Sequence, residues 1–76
     1  MDTKIGLDEV LFVSFCVEMY ARRHGISGAA AMRTLDAVGA CEFLAKFYDP
    51  LHSLDREAII DEVELFIKGN TQHANA

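Results

Sequence analysis

The chain has 76 residues, a formal net charge of −5 and a hydrophobic fraction of 51%. This length predicts a single domain of marginal stability, because a chain this short buries about 60% of its unfolded surface. The acidic balance argues against nucleic-acid binding and against an anionic membrane surface, since both require clustered basic residues. The high apolar fraction favours a protein partner or a homo-oligomer that covers the surplus.

Cysteine content and the N-terminal segment indicate the compartment. Cys16 and Cys41 are the only cysteines, and two isolated cysteines do not form a disulfide framework. The N-terminal residues MDTKIGLDEV do not resemble a signal peptide, and the apolar run after them is shorter than the roughly 20 residues that span a bilayer. We therefore expect a cytoplasmic protein in a reducing environment, with Cys16 as a small buried hydrophobe.

The first predicted helix runs from Asp8 to His24 and is the most apolar part of the chain. Its polar residues Ser14, Glu18 and Arg22 recur every four positions, so they form one narrow stripe of a helix. A helix that is apolar on all other sides is expected to be buried and central. Glu18 and Arg22 have the spacing of a helical ion pair, and Gly25 predicts the helix end.

Two shorter helices are predicted next. Ser27 is a suitable N-cap for a helix over Gly28–Val38, and Gly39 is expected to end that helix. The third helix is predicted over Ala40–Tyr48. It should end at the Asp49-Pro50 step, because a residue that precedes proline avoids the α conformation.

The fourth predicted helix runs from about Leu54 to Lys68. Ser53 is its expected N-cap and Gly69 its expected end, followed by a polar, disordered tail over residues 70–76. The pattern predicts an all-α fold in which four helices form a compact bundle around the first helix, within a single domain over residues 1–69.

The stretch from Tyr48 to Ser53 contains the side chains with most chemical potential. A catalytic interpretation makes His52 a general base oriented by Asp49, with the Ser53 or Tyr48 hydroxyl nearby. The interpretation we favour is structural: Asp49 and Ser53 act as turn and cap residues, and one nitrogen of His52 bonds the backbone. A small-ligand or enzymatic site in this loop remains the alternative.

Metal, cofactor and DNA sites are weakly supported by the sequence. The possible metal ligands show no ligand spacing such as CxxC or HxxxH; they are Cys16, His24, Cys41, His52 and His73. The second and third helices could form a helix-turn-helix around Gly39, but the third offers Lys46 alone as a cation. We expect no metal, no cofactor and no nucleic acid.

The fourth predicted helix carries an excess of acidic residues over Arg56 and Lys68. These acidic residues are Asp55, Glu57, Asp61, Glu62 and Glu64. The simpler interpretation is a solvated face that keeps the protein soluble. The more specific hypothesis is a docking surface for a basic partner, since charge complementarity steers association. Its first candidates are Glu57, Asp61 and Glu64, together with the Tyr48–Ser53 loop.

Two long stretches resemble a known family. They are FVSFCVEMYARRHGISG and VGACEFLAKFYDPLHSLDREAIIDEVELFI, and the resemblance as a whole covers roughly residues 10–67. They are similar to the small bacterial proteins of domain of unknown function family 3791. The most specific part is the Tyr-Asp-x-Leu-His element, whose family-signature positions here are Tyr48, Asp49, Leu51 and His52.

The resemblance implies a small, helical, cytoplasmic protein without an assigned activity. Members of the family often accompany a neighbouring gene whose product resembles a toxin-like ADP-ribosyltransferase. The implied role is therefore a non-enzymatic, antitoxin-like accessory protein that binds a partner encoded nearby, although this rests on analogy alone. The resemblance supplies no catalytic or cofactor-binding residue.

Overall fold

The computed structural model describes residues 6–75, with side chains for residues 6–70. Five helices are present: α1 (Leu7–His24), α2 (Gly28–Ala37), α3 (Ala40–Lys46), α4 (Tyr48–Leu51) and α5 (Arg56–Asn75). No strand occurs in this range, which confirms the all-α class. None of the helices described is both long enough and apolar enough to cross a membrane.

The first two connections follow the local signals of the sequence. Gly25 has a φ of 64°, and its N–H donates to Arg22 O at 3.3 Å while the N–H of Ile26 donates to Ala21 O at 3.0 Å. This pair of bonds is a Schellman motif, which satisfies the last carbonyls of α1. Ser27 Oγ accepts a hydrogen bond from the N–H of Ala30 at 3.1 Å, which confirms the predicted N-cap.

Gly39 separates α2 from α3 with a φ of 79°. Residues other than glycine rarely adopt this left-handed backbone conformation, so the glycine determines where the chain turns. α2 ends at Ala37, one residue before the predicted boundary.

The core lies between α1, α2, α3 and α5. Its largest fully buried side chains come from all four helices: Cys16, Leu35, Leu44, Ile60 and Val63. Burial, with a smaller contribution from Cys41, raises the pKa of Cys16 to about 12, so this thiol stays neutral as the sequence predicted for a core residue. The Phe43 and Phe66 rings stack with their centroids 4.4 Å apart, which packs α3 against α5.

One face of α1 is not covered by the other helices. Leu7 is 72% exposed and Leu11 57% exposed, and both lie on the same side of α1 as Glu18. The prediction that α1 is buried on every side except a polar stripe is therefore wrong. The polar stripe of Ser14, Glu18 and Arg22 is exposed as expected. Toward the N-terminus, however, the same side of α1 carries the apolar Leu7 and Leu11. The predicted pair of Glu18 with Arg22 is also absent among the described ion pairs.

The predicted loop after α3 is largely helical. α3 ends at Lys46, and the chain re-enters a single helical turn, α4, in which Pro50 is the third residue. Proline is tolerated there because the N–H groups of a first turn have no acceptor within the helix. The prediction that the Asp49-Pro50 step ends a helix is wrong.

The last helix begins and ends later than the sequence predicted. Asp55, not Ser53, is its N-cap, since Asp55 Oδ1 accepts from the N–H of Ala58 at 3.0 Å. Ser53 Oγ instead donates to Pro50 O at 3.1 Å. α5 continues through Gly69, where we expected its end. A glycine inside a helix costs only about 1 kcal/mol relative to alanine, so helical bonds on both sides can hold it.

The predicted division of the chain at residue 69 stays a prediction. Residues 1–5, which belong to the predicted domain, lie outside the described residues. So do residue 76 and the side chains of residues 71–76 in the predicted disordered tail.

Candidate functional site

An ion-pair network joins the end of α1 to the first half of α5. Arg23 Nη2 donates to Glu57 Oε1 at 2.9 Å, and Arg23 Nη1 donates to Asp61 Oδ1 at 3.1 Å. Glu64 Oε2 lies 3.8 Å from the same Nη1. The three acids are spaced four and three residues apart, so they share one side of the helix. The hydrogen bond to Asp61 is the main cause that raises the pKa of Arg23.

His24 extends this network beside Arg23. Its Nε2 donates to Glu64 Oε2 at 2.7 Å, which places the proton of the ring on Nε2. The His24 ring lies 4.2 Å from the Tyr20 ring, at an angle of 31° between the planes. Burial, and then the charge of Glu64, raise the pKa of Tyr20. Glu64 is thus shared between Arg23 and His24.

The three predicted partner-binding acids therefore already have partners within the chain. Glu57 and Asp61 remain exposed and Glu64 is half-buried, but each faces a cation on α1. Sequence reasoning assigned Arg23 and His24 to the end of a helix and missed this contact. Local spacing carries no signal for it, because the hydrogen-bonded partners are separated by 34 to 40 positions.

Tyr48 and His52, two of the family-signature positions, are brought together on α4. Their rings stack at 4.3 Å with planes 7° apart, and His52 Nδ1 lies 2.8 Å from Tyr48 O. Tyr48 also packs edge-to-face with Phe12, with the ring centroids 5.4 Å apart. Desolvation raises the pKa of Tyr48, with a smaller effect from Asp8. The side chain of Tyr48 therefore anchors the α4 turn to α1.

The polar groups that a catalytic relay would need are not assembled in this turn. His52 Nδ1 is occupied by backbone, as the structural interpretation predicted. The Ser53 hydroxyl bonds Pro50 O, and no hydrogen bond joins Asp49 or Ser53 to His52 among the described side chains. Leu51, the remaining signature position, is buried in the core.

An apolar groove opens between α1, α2 and α3. It has a volume of about 240 Å³ and is lined by Val10, Val13, Ser14, Met32, Cys41, Glu42 and Ala45. Cys41 Sγ lies 3.7 Å from Met32 Sδ at this groove. Burial raises the pKa of the Cys41 thiol, with a smaller effect from Asp36, so the thiol is neutral at ordinary pH. Sequence reasoning did not anticipate the groove, because it forms from three separate helices.

Metal ligation finds no support in the same geometry. Within the part of the chain that the structure describes, no three His, Cys, Asp or Glu side chains are grouped to hold an ion.

Comparison with known proteins identifies the family of the chain. No curated protein and no solved structure matches the chain significantly. The model of the family described as "Protein of unknown function (DUF3791)" matches residues 11–70. This range takes in α2, α3 and α4 completely, most of α1 and the greater part of α5. The chain therefore belongs to domain of unknown function family 3791, as its resemblance predicted.

Proposed function

We propose that this chain is a non-enzymatic protein-interaction module whose contact surface is the apolar face of α1, formed by Leu7, Val10, Leu11 and Phe15. The observation that carries the proposal is the exposure of all four side chains. Grouped exposed apolar residues mark binding surfaces more often than isolated ones do, because burying them releases free energy in proportion to their area.

The groove beside this face offers a depression into which a partner's side chain can insert. Val10 belongs to both surfaces, so the apolar face of α1 runs directly into the groove between α1, α2 and α3. Interfaces commonly draw most of their affinity from a few large side chains inserted into such depressions. A volume of about 240 Å³ suits one large apolar anchor from a partner.

The acidic face of α5 fits the role of docking surface less well. A basic partner would compete with Arg23 for Glu57 and Asp61, and with His24 for Glu64. Each new ion pair would then replace an existing one, which reduces the net gain of binding. The family resemblance favours one form of the proposal, an antitoxin-like role toward a partner encoded nearby. In that contact α5 would contribute to the rim.

The test compares a double substitution in the apolar face with a matched control. Leu7→Gln with Leu11→Gln removes the two most exposed apolar side chains of α1, whereas Leu65→Gln changes a leucine on α5 that is 62% exposed. We expect a tagged wild-type chain and the Leu65 variant to recover one stoichiometric partner from the source organism, and the double variant to lose it. Recovery by the double variant would reject this face.

A homodimer through the same face is the second candidate. One apolar patch is sufficient for a two-fold contact, because the same surface then serves both copies. Light scattering over a range of protein concentrations separates the two candidates. A dimer that the double variant converts to a monomer would support self-association, whereas a monomer at every concentration would exclude it.

A further inference from the structure

A second groove lies between α1 and α5 and is bordered by three arginines. Its volume is about 320 Å³, and its lining residues are Met19, Arg22, Arg23, Arg56, Glu57 and Ile60. The chain has only seven lysines and arginines against twelve aspartates and glutamates. Because Glu57 also lines the groove, the lining carries three cations and one carboxylate, a net charge of +2 in a chain whose net charge is −5.

The three arginines are held in different ways. Arg23 is committed to the carboxylates of α5. Arg22 and Arg56 have no carboxylate at ion-pair distance among the described side chains. Arg56 makes a cation–π contact instead, with its Cζ 5.9 Å from the centre of the Phe15 ring. Two guanidinium groups at this groove thus keep their hydrogen-bonding capacity.

The position of Arg56 is unfavourable for the helix that carries it. It is the first residue of α5, where the helix dipole favours acids and disfavours cations. The contact with the Phe15 ring compensates this cost only in part, because it leaves the N–H groups of Arg56 without an acceptor among the described side chains. Arg22, in contrast, is in the last turn of α1, where a cation is favoured.

We propose that Arg22 and Arg56 bind an oxyanion, the carboxylate or phosphate group of a small molecule whose apolar part lies against Met19, with the buried Ile60 beneath it. Guanidinium groups bind both anions through paired N–H donors, which gives direction as well as attraction. Arg23, already neutralised by Glu57, forms the wall of the groove rather than a ligand. The groove is larger than an anionic group alone, so it has room for a ligand that also contacts the apolar lining.

The test is a titration of the folded, ¹⁵N-labelled protein followed by NMR. Hexanoate is the probe for a carboxylate with an apolar chain, inorganic phosphate is the probe for the phosphate group, and hexylammonium is the control of opposite charge. We expect saturable shifts at Met19, Arg22, Arg56 and Ile60 with at least one anion and none with hexylammonium. Tighter binding of hexanoate would identify a carboxylate ligand, and tighter binding of phosphate a phosphate ligand.

Matched substitutions assign the effect to the two arginines. Arg22→Gln and Arg56→Gln should each weaken anion binding about tenfold, since each removes charge-assisted hydrogen bonds. Arg33→Gln removes an exposed arginine of α2 that does not border the groove and should change nothing. Equal binding by all three variants, equal response to hexylammonium, or no response to either anion would overturn the proposal.

Phe15 of the apolar face contacts Arg56, but Leu7 and Leu11 do not line this groove. The Leu7 and Leu11 double variant should bind the anion as the wild type does, so failure of either proposal leaves the other one standing.

Discussion

Substituting leucines of different exposure by alanine tests the placement of the helices. Leu35 and Leu44 are 0% exposed, whereas Leu11 and Leu65 lie on open surface. Each Leu→Ala substitution removes the same atoms, so differences in cost reflect the burial of the site. A buried leucine replaced by alanine costs about 2–5 kcal/mol, because a cavity adds to the lost burial. An exposed one leaves no cavity and should cost about 0.5 kcal/mol or less.

These costs are large relative to the stability of the whole chain. At about 0.05–0.15 kcal/mol per residue, a domain of this length has a total free energy of unfolding of roughly 4–11 kcal/mol. Urea unfolding followed by far-ultraviolet circular dichroism resolves the difference. With a slope of about 1 kcal/mol per molar urea, Leu35→Ala should move the midpoint by about 2 M or more, and Leu11→Ala by less than about 0.5 M.

One result would refute the reasoning about α1. If Leu11→Ala costs as much as Leu35→Ala in a dilute, monomeric sample, the face that carries Leu11 is covered within the chain. A cost for Leu11→Ala that increases with protein concentration has a different meaning, because association stabilises the folded state by mass action. That result would place Leu11 in a contact between copies.

Two further predictions concern glycine conformation and pH. Gly39→Ala should destabilise the fold by about 1–2 kcal/mol through the strain of a left-handed φ, since no atom lies close enough to clash. Gly69→Ala should stabilise it by roughly 0.5–1 kcal/mol in the same urea assay, and a loss of stability there would mean that α5 does not continue through this residue. The buried Cys16 thiol, whose pKa rises from 9.0 to about 12, contributes stability that is complete below pH 9 and is lost as pH rises toward 12. About 1 kcal/mol should be lost by pH 10 in the wild type, and Cys16→Ala should lack this part of the pH dependence.

The features that sequence predicted correctly are those set by neighbouring residues. The Schellman motif at Gly25 and the cap at Ser27 each depend on groups no more than five positions apart. Their residue types are strongly preferred, so the local signal was sufficient. The errors at Pro50 and Gly69 are also instructive. Both residues disfavour helix in general, but a first turn tolerates proline, and a long helix absorbs the cost of one glycine.

The features that sequence missed depend on which helices meet. Periodicity establishes that Leu7 and Leu11 share one side of α1 with Glu18, but it does not say which side the other helices cover. The contact of Arg23 with Glu57 likewise requires α1 and α5 to be placed against each other, and residues 34 positions apart carry no spacing signal for it. The site therefore became visible only with the fold.

Net charge illustrates the same limit and links the two proposed surfaces. The value of −5 argues against a broad phosphate-binding surface, because such a surface needs many cations. It says nothing about a single groove. Arg23 occupies the carboxylates of α5 that could have neutralised its neighbours, which leaves Arg22 and Arg56 for an external anion. The acidic face is consequently less open to a basic partner, and the apolar face of α1 becomes the stronger candidate for a protein contact.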